Sequence, residues 1–547
     1  MQSMQLGRAR SNRVTVLLAA LVCTLIAVLT TSPENTGDAM DYAGDTASAP
    51  SLLTPSLYEP GHLLWRPTGV MLRDLLGRSS GGDTAAIRDA QRILSGVSIV
   101  AAVVVAASVG LLVLGVVGSL GAALVAVTLT ALGAAVLNFA QAGAAYVPGI
   151  ALVSVALWAG TAGEQPIPLR RAALAGGLLA AGVLLWLPFV LVVPAVLLAI
   201  YLLSPGEPAR RLCAAAAATV TCVVIGSACY LGAAAAQGIQ SLPAFVDWIR
   251  KSSHGISNPG LARVVIGLPR SFVHMGNDGR EIRRYLLGDP LNPVSVEQLA
   301  LLHVWPKLLL FYAVLACVAW YALRRSQGRV LLLLFIVALV PVVGLGAAWS
   351  GGEEERYLPL YPFLLLLVIW AAWSAAGERR RFLPAAVGAF ALLWLCNVWA
   401  FNPWVTRARS AVTEARLGCI GSMLDARSVI VLPHAADPII IFARDRLDEP
   451  PRSVGARVVF VVPPIAQPGL TWDGLLASVV TRTLESGGRV WIPAYALENA
   501  PPRWVGWVEG AQAVTWSQVQ RAFGALEVRR VCEETALLEV VALNPRP

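Results

Sequence analysis

The feature that most constrains this chain is a train of apolar runs, each about 17–25 residues long, the length an α-helix needs to cross a hydrocarbon layer of about 30 Å. They lie at 14–31, 95–117, 119–139, 144–162, 172–187, 189–204, 212–235, 306–323, 329–348, 357–376 and 382–401, so the chain is expected to have about 11 transmembrane helices. With 56% hydrophobic residues, 14% charged and a mean hydropathy of +0.66, its composition is that of an integral membrane protein. The expected fold class is an α-helical polytopic membrane protein.

The weakest boundary lies in 172–204, where Pro188 and Pro194 interrupt a continuous apolar stretch and allow either one broken helix or two short ones. Charge decides between them. With the N-terminus (Arg8, Arg10, Arg13) in the cytoplasm, two helices put Arg170-Arg171, Arg210-Arg211, Arg324-Arg325-Arg329 and Arg379-Arg380-Arg381 all on the cytoplasmic side, as the positive-inside rule requires. The run from Val14 to Thr31 is longer than a signal-peptide core and is followed by further spans, so it is expected to be a retained first helix. The loops 32–94 and 236–305, the turn at Glu353 to Arg356 and everything after 401 then face outward. The net charge of +9 belongs to these topology signals and not to a basic stripe with interleaved aromatics, so no nucleic-acid partner is expected.

Two outer segments read as helices lying in the interface: 63–76, broken near Pro67, and Leu242 to Arg250, which mixes Phe245 and Trp248 with Asp247 and Arg250. The Gly- and Ala-rich stretches at Ala172 to Gly182 and Ala214 to Ala218 read as close helix packing. From 402 to 547 the pattern becomes that of a soluble extracytoplasmic α/β domain, with strand-like runs at 428–433, 457–463 and 489–493 and a helical pattern at 472–486. No glycine-rich fingerprint opens a helix there, so no nucleotide is assigned. Most cysteines lie in apolar segments as small hydrophobes; Cys419 and Cys532 fall in the polar tail and could pair outside the cytoplasm.

Chemistry-bearing residues concentrate in a few outer places. Asp38, Asp41 and Asp45 follow the first span at spacings of three and four, one face of a helix. They are either a solvated acidic loop or a general base that deprotonates an acceptor hydroxyl or amine. In Tyr58-Glu59-Pro60-Gly61-His62-Leu63-Leu64-Trp65-Arg66-Pro67, His62 can bond a phosphate or share a proton with an aspartate, and Arg66 adds a guanidinium. Before a late span, Glu353-Glu354-Glu355-Arg356-Tyr357-Leu358-Pro359-Leu360-Tyr361-Pro362 sets charges at the mouth of a helix, where they are usually functional. Arg356 is either a phosphate ligand or a side chain snorkelling to headgroups. Tyr357 adds a hydroxyl, and Arg270 and His274 are further candidates for the same anion.

At these residues the chain resembles the GT-C superfamily of membrane glycosyltransferases, nearest by pattern to the protein O-mannosyltransferase-like group and the lipid A aminoarabinose transferase. The resemblance rests on Asp38-Ala39-Met40-Asp41-Tyr42, an acidic motif with Asp four residues before Tyr after the first span. It rests also on Arg356 to Pro362, a looser match to an Arg-Tyr-Leu-x-Pro-Leu-x-Pro sequence before a late span, and on a soluble domain after the last span. It implies that Asp38 matches the catalytic carboxylate. Many relatives have Asp-Glu where this chain has Asp38-Ala39, so Asp41 stays open as the second carboxylate or the base.

The function the resemblance implies is transfer of a sugar, with inversion, from a polyprenyl-phosphate-linked donor to an acceptor on the outer face of the plasma membrane. Catalytic candidates are Asp38 and Asp41; candidates for substrate binding are Tyr42, His62, Arg66, Arg270, His274, Glu355, Arg356 and Tyr357. The partners are the lipid-linked donor, membrane lipids and a glycan, lipid or protein acceptor; no cofactor and no obligatory metal are expected. The alternative is a polytopic transporter or lipid flippase with an extracytoplasmic sensing domain, which would need polar residues deep in several spans.

Overall fold

The structure, a computed structural model, describes residues 2–31, 37–78, 80–81, 84–163, 165–251, 260–275, 296, 304–349, 351–378, 381–402, 428–432, 458–460, 480–493, 526–532 and 537–543. Among them seven helices are long and apolar enough to cross a membrane, or up to eight if a bent pair is one span. The chain is a polytopic α-helical membrane protein.

The seven match seven of the eleven apolar runs: α1 (Gln2–Thr30), α4 (Thr84–Val117), α10 (Pro208–Ala236), α13 (Val304–Leu323), α14 (Ser326–Ala348), α15 (Tyr361–Gly377) with the 3₁₀ turn Glu354–Leu360 before it, and α16 (Phe382–Ala400). The run 119–139 is instead split into α5 (Leu120–Ala131) and α6 (Ala134–Ala142), bent by 57°. The remaining runs are shorter helices: α7 (Tyr146–Thr161), α8 (Leu169–Leu185) and the 3₁₀ turn Leu187–Val192 leading into α9 (Val193–Leu203). Separate helices α8 and α9 agree with the reading from charge. Between the spans lie α2 (Gly37–Ser48), α3 (Trp65–Leu75), α11 (Leu242–Lys251) and α12 (Leu261–Phe272).

Small residues set the closest crossings. A Cβ on Gly176 would meet the Ala218 carbonyl oxygen at 2.2 Å, so α8 and α10 touch backbone to backbone along the stretch expected to pack this way. A Cβ on Gly149 would meet Phe189 at 2.3 Å, bringing α7 against the α8–α9 turn. The break between α5 and α6 exposes carbonyls that an apolar interior cannot hydrate. Trp394 Nε1 donates to Leu129 O at 2.7 Å, and Asn397 Nδ2 donates to Leu132 O at 2.7 Å and to Phe272 O at 2.8 Å. Two side chains of α16 thus satisfy the bend from across the bundle. Large apolar side chains on α1, α10, α14 and α16, such as Leu18, Val224, Val340 and Leu392, remain exposed, as expected of a lipid-facing perimeter.

The bundle has two chemically distinct ends. Arg170 and Arg171 begin α8, Arg210 and Arg211 begin α10, and Arg324 and Arg325 join α13 to α14, where Arg325 Nη2 holds both Glu378 oxygens at 2.7 and 2.5 Å. The opposite end carries α2, α3, α11, α12 and the Glu354–Leu360 turn. At about 1.5 Å per residue α4 is about 51 Å long, well beyond the bilayer core, and its first turns rise into this end.

The C-terminal strands β1 (Ser428–Leu432), β2 (Val458–Phe460), β3 (Arg489–Pro493), β4 (Leu526–Cys532) and β5 (Leu537–Leu543) form one sheet in the order β2-β1-β3-β5-β4. The three strands expected from sequence pair in parallel; β4 and β5, which were not expected, add an antiparallel edge. Of the helical pattern at 472–486, residues 480–485 are helical and 472–479 lie outside the described residues, as does Cys419 of the possible disulfide.

Candidate functional site

Helix α2 carries the aspartates, and its seat is made by small side chains. Ala39, Ala43 and Ala47, at helical spacing, join one buried cluster with Ile87, Ala90 and Leu94 of α4. The end of α2 is held by Arg73, whose Nη1 donates to Thr46 O (2.7 Å), Ala47 O (3.2 Å) and Ala49 O (2.7 Å), while Asp74 accepts from its Nε and Nη2 at 2.9 and 2.7 Å. One guanidinium therefore satisfies carbonyls that the helix end leaves without partners. The segment 63–76 was expected to break near Pro67, but Pro67 stands in the first turn of α3, where no intrahelical N–H is required. The helix runs on unbroken and buries Arg66 and Arg73 against α2.

Arg66 is the charged centre of this half. Its Nε donates to Asp45 Oδ2 at 2.7 Å, its Nη1 to the Glu59 carboxylate, and its guanidinium lies 4.8 Å over the Tyr42 ring. Burial alone would lower the Arg66 pKa, but Glu59, Tyr42 and Asp45 outweigh it and the net direction is upward. A raised arginine pKa leaves the Arg66 guanidinium charged across any practical assay range, and the stability linked to it is lost only in strong alkali.

From Tyr42 a run of rings crosses the site. Tyr42 and His62 lie 5.1 Å apart, His62 and Tyr146 5.8 Å, Tyr146 and Trp186 4.8 Å. His62 also bonds Leu185 O through Nδ1 at 3.2 Å; a carbonyl can only accept, so Nδ1 carries a proton. The same α8 terminus receives Leu64 N on Leu184 O at 3.0 Å, so the 58–64 loop caps α8. Tyr230 of α10 and Gln237 just after it hold that loop from the other side, donating to Pro60 O and Tyr58 O at 2.8 Å each.

Trp186 leads to Arg356, whose guanidinium sits 5.9 Å from the Trp186 ring and 3.8 Å from that of Trp349. Its Nε and Nη2 both bond one oxygen of Glu353, at 3.0 and 2.8 Å, and Glu355 lies 3.9 Å from Nε. The surrounding turn is pinned. Asn138 of α6 donates to Glu354 at 2.7 Å, Arg270 donates to Gly352 O at 3.2 Å and lies 3.8 Å from Glu354, and the Tyr357 hydroxyl donates to Gly351 O at 2.7 Å. A Cβ on Gly267 would come within 1.9 Å of Gly351 O, so α12 lies directly on this turn.

The structure thus brings Tyr42, His62, Arg66, Glu355 and Arg356 into one continuous constellation, with Arg270 behind it on the Glu354 side. Asp41 is exposed on α2; Asp38 is in the first turn of α2, and its side chain lies outside the described residues. Tyr357 is wholly buried with its hydroxyl on the turn itself. His274 belongs to another neighbourhood, edge-on to Phe401, with its N–H on Asn397 and its carbonyl accepting from Lys307. Sequence reasoning assigned nothing to Glu59, Arg73, Tyr146, Trp186 or Trp349. Trp186 beside the Pro188 break carried some signal; Tyr146, one aromatic inside an apolar run, carried none.

No protein-family model and no curated protein matches this chain. Among solved structures it is similar to ArnT from Cupriavidus metallidurans bound to undecaprenyl phosphate, at 11% identity and a TM-score of 0.49 over 98% of this chain and 99% of that one. It is also similar to an oligosaccharyltransferase from Archaeoglobus fulgidus in complex with Zn and sulfate (13% identity, TM-score 0.43, 87% of this chain and 68% of that one). A third is the archaeal oligosaccharyltransferase AglB from Archaeoglobus fulgidus in complex with an inhibitory peptide and a dolichol-phosphate (13%, 0.45, 94% and 72%).

Proposed function

We propose that this protein is a GT-C-type membrane glycosyltransferase that moves a sugar from a polyprenyl-phosphate-linked donor to an acceptor on the outer face of the plasma membrane. The observation that carries the reading is the convergence of the two sequence motifs: the aspartate helix after the first span and Arg356 before a late span meet at one end of the bundle through His62, Tyr146 and Trp186. The arginine clusters at the other end support an outward-facing site under the positive-inside rule.

In this scheme the donor phosphate lies against the Arg356 fork and the aromatic run faces the sugar. The acceptor O–H or N–H proton passes to Asp38 or Asp41 as the acceptor atom bonds the anomeric carbon. The bond from that carbon to the phosphate oxygen breaks, and the polyprenyl phosphate departs with the electron pair, its charge met by Arg356. Attack opposite the leaving phosphate inverts the anomeric centre. Asp45 is committed to Arg66 and serves the scaffold.

The test compares Asp38→Asn and Asp41→Asn. A positioned base contributes roughly 10²–10⁴-fold, so one of the two should lose transfer by that factor with expression and donor binding intact. Mass spectrometry of the cell envelope with and without the protein identifies the transferred glycosyl group. Full transfer by both asparagine variants would overturn the reading.

A further inference from the structure

Arg356 already has an anion on it. One oxygen of Glu353 takes both the Nε and the Nη2 bonds, at 3.0 and 2.8 Å, which is the side of the guanidinium that chelates a phosphate oxygen. Among the three consecutive glutamates this is the one placed to leave. The Glu354 side chain is 10% exposed and held by Asn138, that of Glu355 is 12% exposed, and that of Glu353 is 41% exposed. The backbone on either side does not need to follow: Gly351 O and Gly352 O are fixed by Tyr357 and Arg270, and residues 354–360 form the 3₁₀ turn. Arg356 itself lies between the Trp349 and Trp186 rings.

We infer that Glu353 is the internal competitor of the donor phosphate: its carboxylate holds the Nε/Nη2 edge of Arg356 in the free protein and rotates away when a polyprenyl phosphate binds there. This rests on the phosphate assignment to Arg356. The competition sets donor affinity and favours release of the spent carrier, because the carboxylate returns to the guanidinium as the lipid phosphate leaves. The sequence singled out Glu355; the structure sets Glu353 apart as the exposed carboxylate beside two largely buried ones.

The probe is undecaprenyl phosphate titrated into the full-length protein in detergent micelles, followed by tryptophan fluorescence, since Trp349 and Trp186 flank Arg356. A half-exposed ion pair shifts an equilibrium by up to about fivefold, so Glu353→Gln should bind the probe about two- to fivefold more tightly than the wild type. Glu353→Ala should do the same, which separates lost charge from an altered hydrogen bond. Arg356→Gln should weaken binding at least about tenfold, and Glu353→Gln added to it should change nothing further. If Arg356→Gln weakens binding while both Glu353 variants leave it unchanged or weaker, the competition is refuted and the phosphate assignment stands. If Arg356→Gln binds as the wild type does, both fall.

Discussion

Removing Arg66 exposes the energetics of this site most directly. Its side chain is 7% exposed and bonded to two carboxylates that are themselves 21% (Asp45) and 14% (Glu59) exposed, so Arg66→Met keeps much of the volume and takes the guanidinium from two partly buried negative charges. Breaking a buried pair by deleting one member typically costs about 3–5 kcal/mol. With two carboxylates on one guanidinium, the expected loss is at the upper part of that range, about 4–5 kcal/mol. Arg66→Lys keeps the charge but cannot reach both carboxylates with a planar fork, and should lose about 1–2 kcal/mol. The decisive variant is the triple one, Arg66→Met with Asp45→Asn and Glu59→Gln, which removes the pair as a unit. Since a buried ion pair is often replaceable as a whole at little net cost, it should recover most of the loss. Equilibrium unfolding in dodecyl-maltoside/SDS mixed micelles measures all three. A single variant that loses under about 1 kcal/mol, or a triple variant no more stable than the single one, would refute the account of Arg66 as the electrostatic keystone of this half.

Two further outcomes are expected. Gly267→Ala must push α12 off the Gly351 turn, since its Cβ would stand 1.9 Å from Gly351 O; it should lose at least the roughly 1–3 kcal/mol of an overpacked contact and weaken undecaprenyl phosphate binding in the same titration. Asn397→Leu leaves Leu132 O, Phe272 O and His274 N without their side-chain partner. At about 1–3 kcal/mol for each unsatisfied buried group the loss should reach at least about 3 kcal/mol in mixed micelles, and a change below about 1 kcal/mol would mean that the bend is held by other contacts.

The membrane region was legible where one signal sufficed. Hydropathy finds a helix such as α14 because every residue of a span contributes to the same sum, and charge separates α8 from α9 because arginines mark one side. Hydropathy does not see the bend at Gly133, since the residues on both sides are equally apolar; what makes it is Tyr361, whose ring would stand 2.5 Å from a Cβ there, and the donors of α16. The candidate site shows the same division. Asp41, Arg66 and Arg356 stand out because charge beside an apolar run needs a reason, whereas Tyr146 and Trp186 blend into their runs and gain meaning only from what faces them. Amphipathicity found α3 but not what its polar face meets. Its polar face meets the open carbonyls of α2 and two carboxylates, and a sequence pattern cannot distinguish that from water.

The bend between α5 and α6 also bears on how the chain comes together in time. Its carbonyl partners, Trp394 and Asn397, belong to the last helix of the membrane region, so during synthesis the earlier segments enter the bilayer with these acceptors open. Asn397 bonds both the bend and the end of α12, and α12 is the helix that lies on the Arg356 turn. The last span to leave the ribosome is thereby the latch of the whole region, and a chain cut short before it would hold the substrate-side residues without the piece that locks them into register.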